Sequence, residues 1–207
     1  MSVIYRNGSS GVRDVNCQDN GKPNFDRRYK QGSAAFGTEP MPQVVKAVDF
    51  LATSNVKEKT ALDLGVGDGR HALYLLESGF RVTGVDLAQS GLDVLYQRAQ
   101  KFRDKLTLIN ANVLDLDLTN RFSLIIGLGL LHFLSLENIK IIVDWVQKHT
   151  NQNGINVFVS RMTQNRKGNL PYVFEPGVMR DLYDRPDWKV LEYDEGDRVS
   201  IIAQRNN

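Results

Sequence analysis

Apolar residues recur along the chain in two alternating patterns. Short apolar or β-branched runs, typical of buried strands, alternate with longer segments whose apolar residues recur every three or four positions, typical of helices. The pattern predicts a helix at 42–52, strand Thr60–Leu64, helix Arg70–Ser78, strand Arg81–Val85, a helix from about Ser90 to Phe102, strands Leu106–Ala111 and Phe122–Gly127, helix Leu136–His149 and strand Ile155–Ser160.

The C-terminal part follows a different pattern. A short helix is predicted near Gly177–Tyr183, followed by strands Trp188–Tyr193 and Val199–Gln204 on either side of a polar turn, which is the pattern of an antiparallel hairpin. The alternating strands and helices before it imply a parallel sheet with helices on both faces. The predicted fold class is therefore α/β, with a Rossmann-like, doubly wound sheet of seven strands that is mostly parallel and ends in an antiparallel hairpin.

Length and composition indicate one domain. The chain has 207 residues, of which 42% are hydrophobic and 24% charged, as is ordinary for a globular protein with one core. Residues 1–23 are polar and lack periodicity, so we expect a flexible tail in which Cys17 is an incidental thiol. The predicted domain is 24–207.

Charge and residue usage exclude several classes of function. A net charge of +2 gives no basic footprint for nucleic acid, and no apolar run approaches the roughly 20 residues of a membrane helix. The N-terminus lacks the apolar core of a signal peptide, and one cysteine with three histidines makes a metal site unexpected. We expect a cytoplasmic protein with a small-molecule substrate, no nucleic-acid or membrane partner and no metal; its oligomeric state is open.

A loop between the first predicted strand and its helix carries three closely spaced glycines. In the stretch ALDLGVGDGR, Asp63 precedes Gly65, Gly67 and Gly69. Glycine permits positive φ and lets a ligand approach without a Cβ in the way. The dinucleotide fingerprint G-x-G-x-x-G does not fit, because its third glycine position holds Arg70. The G-x-G-x-G spacing with an acid two residues ahead resembles the S-adenosylmethionine (SAM) loop of class I methyltransferases.

A second acid ends the next predicted strand. Asp86 follows Arg81–Val85 and lies 17 residues beyond Gly69. Ligands bind at the carboxyl ends of parallel strands, where a carboxylate can accept both hydroxyls of a ribose such as that of SAM. Such charge-assisted bonds contribute roughly 1.5–3 kcal/mol each. Asp is also a favoured helix N-cap, but with the glycine loop ahead of it we favour ribose binding for Asp86.

The end of the third strand resembles the adenine-contacting segment of class I methyltransferases. Asn112 stands where those enzymes commonly have Asp, so its amide could accept from the adenine amino group and the Val113 N–H could donate to the ring. The alternatives are that Asn112 only shapes a turn, which Asn does well, or that Asp115 takes this role.

The end of the fourth strand disfavours nucleic-acid substrates. It reads GLGL, where enzymes that methylate base amino groups usually carry an Asn- or Asp-Pro-Pro-aromatic tetrapeptide. Methylation of pyrimidine carbon 5 needs a nucleophilic cysteine, and Cys17 lies in the predicted tail. The following LLHFL segment resembles small-molecule methyltransferases, in which His132 is either a general base with a pKa near neutral or a packing residue beside the cofactor.

Three segments together resemble the tellurite-resistance methyltransferase family, TehB. Members use SAM to methylate tellurite and related soft chalcogen oxyanions. The resemblance covers roughly Phe25 to Glu195, and implies that 24–55 forms an N-terminal lid and helix, with Tyr29 near the cofactor carboxylate and Phe25 and Phe36 beside it. Ordinary core packing is the alternative for these aromatic residues. The resemblance rests on Asp63–Leu76, Leu130–Leu134 and Leu170–Gly177.

The chain departs from the family pattern at three places. Val66 replaces the cysteine of the glycine loop, and Ser123 replaces an Asp in the fourth strand. The closing hairpin, here only 194–198 at its tip, lacks the family insertion that carries His and Arg near the substrate. Cofactor binding survives these changes, whereas the tellurite assignment is weakened.

The resemblance implies a SAM-dependent methyltransferase acting on a small molecule, with a soft acceptor such as a thiol, selenite or tellurite. His132 is the candidate base, and Arg161 and Arg166 are candidates to hold an anionic substrate, unless they are solvated loop residues. An O- or N-methyltransferase of a small metabolite and a non-catalytic SAM-binding protein stay open. The cofactor-binding residues implied are Tyr29, Asp63, Gly65, Gly67, Gly69, Asp86, Leu87, Asn112, Val113 and Leu128.

Overall fold

A computed structural model of the protein describes residues 25–30, 36–54, 56–163 and 170–206. The expectation of a flexible tail at 1–23 and the substrate role of Arg166 both lie outside the described residues.

The core of the fold is a seven-stranded sheet in the order β3-β2-β1-β4-β5-β7-β6. The first five strands pair in parallel, while β7 pairs antiparallel with both β5 and β6, so the predicted fold class is confirmed. The strands are β1 Thr60–Leu64, β2 Arg81–Asp86, β3 Leu106–Asn110, β4 Phe122–Leu128, β5 Thr150–Arg161, β6 Trp188–Glu195 and β7 Arg198–Arg205.

Helices cover both faces of the sheet. Buried side chains of α2, α3 and α4 pack in one apolar cluster against one face, and those of α5 and α6 pack in a second cluster against the other. No helix in the described ranges is long and apolar enough to cross a lipid bilayer. The helices are α1 Phe25–Lys30, α2 Pro42–Ala52, α3 Arg70–Glu77, α4 Gln89–Arg98, α5 Leu136–Lys148 and α6 Val178–Asp181.

Two of these elements differ from their predicted bounds by more than two residues at one end. The helix predicted to reach Phe102 ends at Arg98, and the chain tightens into a separate 3-10 turn at Gln100–Phe102. The fifth strand begins at Thr150 rather than Ile155, because a register shift opposite β4 keeps the polar 151–154 segment in the sheet. Because residues 151–154 are mostly polar, the hydrophobic pattern of the sequence does not predict this extension of the strand.

Candidate functional site

The glycine loop lies at the carboxyl end of β1 and is tied to the end of β2. The amide groups of Gly65 and Val66 both donate to the carbonyl of Val85, at 2.8 and 3.0 Å. Gly65 has φ +77°, and Gly69, with φ +88°, is the N-cap of α3. The loop therefore takes backbone conformations that favour glycine, as its sequence predicts.

Tyr29 of α1 covers the middle of this loop. Gly67 has φ +54°, and a Cβ at this position would lie 2.4 Å from the Tyr29 hydroxyl. Burial, together with the nearby charge of Asp86, raises the pKa of Tyr29. The tyrosine is thus brought to the glycine loop, as the family resemblance implies, and packs edge-on against Phe36 with ring centroids 6.1 Å apart.

Asp86 is held by backbone amides of two loops. Its Oδ2 accepts the N–H of Gly67 and its Oδ1 accepts the N–H of Ala88, each at 2.8 Å. Burial raises the pKa of this carboxyl, although these amide contacts oppose the shift. A carboxylate offers about four lone-pair sites, and the amides of Gly67, Ala88 and Leu87 act on this one, so capacity remains for a ligand donor.

Asp63, at the end of β1, is a deeply buried acid of the site. It is 2% exposed, and its Oδ2 has no hydrogen-bond partner among the described residues. Burial and the neighbouring charge of Asp86 raise its pKa to about 8. An unpaired buried carboxylate is costly, so this oxygen is poised to receive a cationic donor.

A contact between α1 and α4 holds Tyr29 in place. Oδ1 of Asp26 accepts the backbone N–H of Ser90 at 3.0 Å and the Ser90 hydroxyl at 2.6 Å. The two residues are 64 positions apart in sequence, so no local pattern reveals the pair. Phe25 of the same helix meets Phe133 edge-on, with ring centroids 5.3 Å apart.

Asn110 braces the end of β2 and was not singled out in the sequence. Its side-chain amide donates to the carbonyls of Asp86 and Leu87, at 3.1 and 3.0 Å. Asn110 lies directly beside Asp86 because of the register of β2 against β3, which no local sequence pattern reveals. Leu87 itself is 68% exposed, which leaves its apolar surface free for a ligand.

The predicted adenine-contacting segment forms a 3-10 turn at Val113–Asp115. Asn112 is its N-cap, and its side-chain oxygen accepts the N–H of Leu114 at 3.1 Å. The turn-shaping role of Asn112 is therefore present, while its contact with adenine stays a prediction. Val113 is buried and Asp115 is exposed, and the alternative in which Asp115 takes the role of Asn112 also stays a prediction.

The end of β4 lies close to the next strand and leads to a histidine. Leu128 is the last residue of β4 and is half-buried. His132, in the 3-10 turn Leu131–Phe133, is 6% exposed, and its Nδ1 lies 3.3 Å from the Oγ of Ser160 in β5. Burial and the charges of Arg161 and Arg198 lower the pKa of His132 to about 4. The expectation of a pKa near neutral is therefore wrong.

Two arginines lie opposite each other at the end of β5. Arg161 is the cross-strand neighbour of Arg198 at the start of β7. The segment after the undescribed 164–169 returns to the same place, since Phe174 donates its N–H to the carbonyl of Arg161 at 2.9 Å. Tyr172 packs edge-on against Phe174, with ring centroids 5.1 Å apart. Like charges opposite each other are unfavourable unless an anion lies between them.

Comparison with known proteins gives the family. Residues 35–200 match the family model described as tellurite resistance protein TehB. The chain is 29% identical over 174 residues to a probable S-adenosyl-L-methionine-dependent methyltransferase TehB of Haemophilus influenzae, covering 83% of this chain and 56% of that protein. The chain thus spans about half the length of the curated relatives it matches.

Solved structures give the fold. The crystal structure of TehB from Haemophilus influenzae superposes with a TM-score of 0.71 at 21% identity, over 88% of this chain and 66% of that chain. Magnesium protoporphyrin IX methyltransferase from Synechocystis PCC 6803 with bound SAM superposes with a TM-score of 0.63 at 16% identity, over 90% and 86%. The chain belongs to the TehB family and has the fold of the class I SAM-dependent methyltransferases.

Proposed function

We propose that this chain transfers the methyl group of SAM to a small anionic acceptor with a soft nucleophilic atom, such as a thiolate, selenite or tellurite. The observation that supports this acceptor class is the pair Arg161 and Arg198, which are cross-strand neighbours in β5 and β7 and whose charges both act on His132. Two guanidinium groups at one strand end form a natural receptor for an oxyanion or carboxylate, because their planar forks match such groups.

The residues at the ends of β1 and β2 fit SAM. The unpartnered Oδ2 of Asp63 suits the ammonium of its methionyl part, and the spare lone pairs of Asp86 suit the ribose hydroxyls. The exposed face of Leu87 suits the adenine ring. The backbones of Gly65, Gly67 and Gly69 line the approach, with Tyr29, Val113, Leu128 and Asn112 as further candidates.

Charge supports the same assignment. The charge of Asp86 disfavours ionisation of Asp63, and the charge of Asp26 disfavours ionisation of Asp86. A ligand with positive charge relieves this repulsion, and SAM carries both a sulfonium and an ammonium. An uncharged or phosphate-bearing ligand would not provide this compensation.

The chain needs little acid–base machinery for such a reaction. SAM supplies a methyl group that its sulfonium already activates. The contribution of the protein is then to orient the acceptor and to exclude water, and positioning of well-oriented reactants is worth roughly 7–11 kcal/mol. We propose that α1, latched through Asp26 and Ser90, acts as the lid, and that 24–207 works as one methyltransferase domain.

The test is methyl transfer from isotopically labelled SAM to a panel of acceptors. We expect label in selenite, tellurite or the anionic thiol 3-mercaptopropionate, and a lower yield for Arg161→Gln. Transfer only to a neutral hydroxyl or amine would replace the proposal with an O- or N-methyltransferase. SAM binding without turnover of any acceptor would indicate a non-catalytic SAM-binding protein.

A further inference from the structure

His132 and Ser160 form a buried polar contact within hydrogen-bond distance, and not only a packing contact. Nδ1 of His132 lies 3.3 Å from Oγ of Ser160. Both residues are buried, at 6% and 1% exposure, and 28 residues separate them in sequence. Ser160 is the residue before Arg161 in β5, and the charge of Arg161 acts on the His132 ring.

The chemistry of the two groups favours one direction for this hydrogen bond. A neutral imidazole has one protonated nitrogen and one acceptor nitrogen, whereas a serine hydroxyl always carries a proton. A buried hydroxyl proton without an acceptor is costly, and Nδ1 of His132 is the acceptor that the geometry supplies. A hydrogen bond from the Ser160 hydroxyl to Nδ1 satisfies this requirement, and it would place the ring proton of His132 on Nε2.

The surroundings keep this imidazole neutral. Arg161 of β5 and Arg198 of β7 act on it from the sheet, and burial acts in the same direction, lowering its pKa to about 4. On its own turn the His132 ring packs against the uncharged Phe133, and Phe133 in turn contacts Phe25 of α1. Near pH 7 the ring of His132 is therefore neutral and has one N–H to donate, within the electrostatic influence of Arg161 and Arg198.

We propose that Ser160 is a positioning residue that holds His132 in the Nε2–H tautomer, so that His132 donates a hydrogen bond to an anionic acceptor instead of removing a proton from a neutral one. The inference rests on the proposed function and narrows it to acceptors that are already ionised. The lone pair of the acceptor forms the new bond to carbon, the sulfur keeps the pair of the bond that breaks, and no proton passes to His132.

The direct test is the tautomer of His132 in the full chain, by long-range proton–nitrogen NMR of protein labelled in its histidines. The sequence has three histidines, so His71→Gln, His132→Gln and His149→Gln assign the spectrum. His149 is an internal reference of the opposite kind, because its Nδ1 lies 2.7 Å from the carbonyl of Trp145, which only accepts. We expect protonated Nε2 in His132 and protonated Nδ1 in His149; a protonated Nδ1 in His132 overturns the proposal.

A pair of variants tests the role of the hydroxyl. Ser160→Ala removes the donor, so we expect His132 to become a mixture of tautomers, while Ser160→Thr keeps a hydroxyl and restores the Nε2–H form. The ring of His149 reports whether the fold is intact in both. An unchanged His132 tautomer in Ser160→Ala would show that Ser160 does not set it.

The donor role is tested with selenite as the probe, in protein saturated with S-adenosylhomocysteine. We expect selenite to shift the Nε2–H resonance of His132 and to leave that of His149 unmoved; no shift at His132 at saturating selenite contradicts the donor role. None of these readouts requires turnover. A failed methyl-transfer assay therefore removes the proposed function, and a wrong tautomer or an unmoved resonance removes this inference.

Discussion

The two halves of the site are built by different means. The cofactor half, at the ends of β1, β2 and β3, consists largely of backbone groups: the glycine loop and the amides that hold Asp86. The proposed acceptor half, at the ends of β4 and β5 and the start of β7, consists of side chains: His132, Arg161 and Arg198. Backbone architecture suits a ligand that is the same throughout a family, whereas side chains can change the acceptor without rebuilding the fold.

The largest expected effect on SAM affinity comes from a substitution in the backbone of the glycine loop. Gly67→Ala forces a side chain into a positive φ and against the Tyr29 hydroxyl, so we expect SAM affinity to fall by about 100-fold or more, measured by calorimetry. Gly79→Ala is the matched control, since Gly79 has φ +89° and open space around its Cβ position. The control should bind SAM normally; equal losses in both variants would show that general strain, and not the loop, is responsible.

The next largest effect is expected from removing Asp86, the acid that accepts a hydrogen bond from the glycine loop. Asp86→Ala should weaken SAM binding by about 2 kcal/mol, or roughly 30-fold, because charged hydrogen bonds to the ligand are lost. Calorimetry gives the affinity and circular dichroism checks the fold. Asp115→Ala is the control and also tests the alternative adenine contact. Unchanged affinity in folded Asp86→Ala would remove the ribose assignment.

A smaller effect is expected from a substitution that changes acceptor binding and leaves cofactor binding intact. Arg161→Gln should raise the KM for an anionic acceptor by about tenfold, the worth of one charged hydrogen bond at the low end, and leave the Kd for SAM unchanged. Steady-state kinetics and calorimetry measure the two quantities on the same samples. Arg121→Gln, at an exposed position just before β4, is the control. A weaker Kd for SAM with unaltered KM would place Arg161 in the cofactor half.

The smallest effect is a pH dependence of SAM affinity. Because Asp63 has a pKa raised to about 8, it is largely protonated in the free protein at pH 7, and a bound cation favours its ionised form. Binding should therefore release a proton, and affinity should rise between pH 6 and 7.5 by less than tenfold per unit. Calorimetry in two buffers of different ionisation enthalpy counts the proton. The Asp63→Asn variant should release none; the same proton release in that variant would assign it to another group.

The two halves of the site also differ in how well the sequence predicts them. The strand, glycine loop and following helix are contiguous, so the place of the loop after β1 and the positive φ of Gly65, Gly67 and Gly69 follow from the sequence. The acceptor half depends on pairing between distant strands: Arg198 lies opposite Arg161 only because β7 pairs antiparallel with β5. No local pattern contains that information.

Other residues were missed for the same physical reason. Asn110 acts through the register of β3 against β2, and Asp26 acts through the docking of α1 on α4. The low pKa of His132 comes from burial and from two arginines, neither of which a single segment reveals. Local chemistry is readable along the chain, while burial and charge are properties of the folded molecule.

Titration of the full chain with SAM and with S-adenosylhomocysteine, followed by calorimetry, tests the central claim most directly. The architecture of the cofactor half predicts micromolar binding of either ligand. The absence of binding by folded protein would contradict the assignment of the glycine loop and of both buried acids.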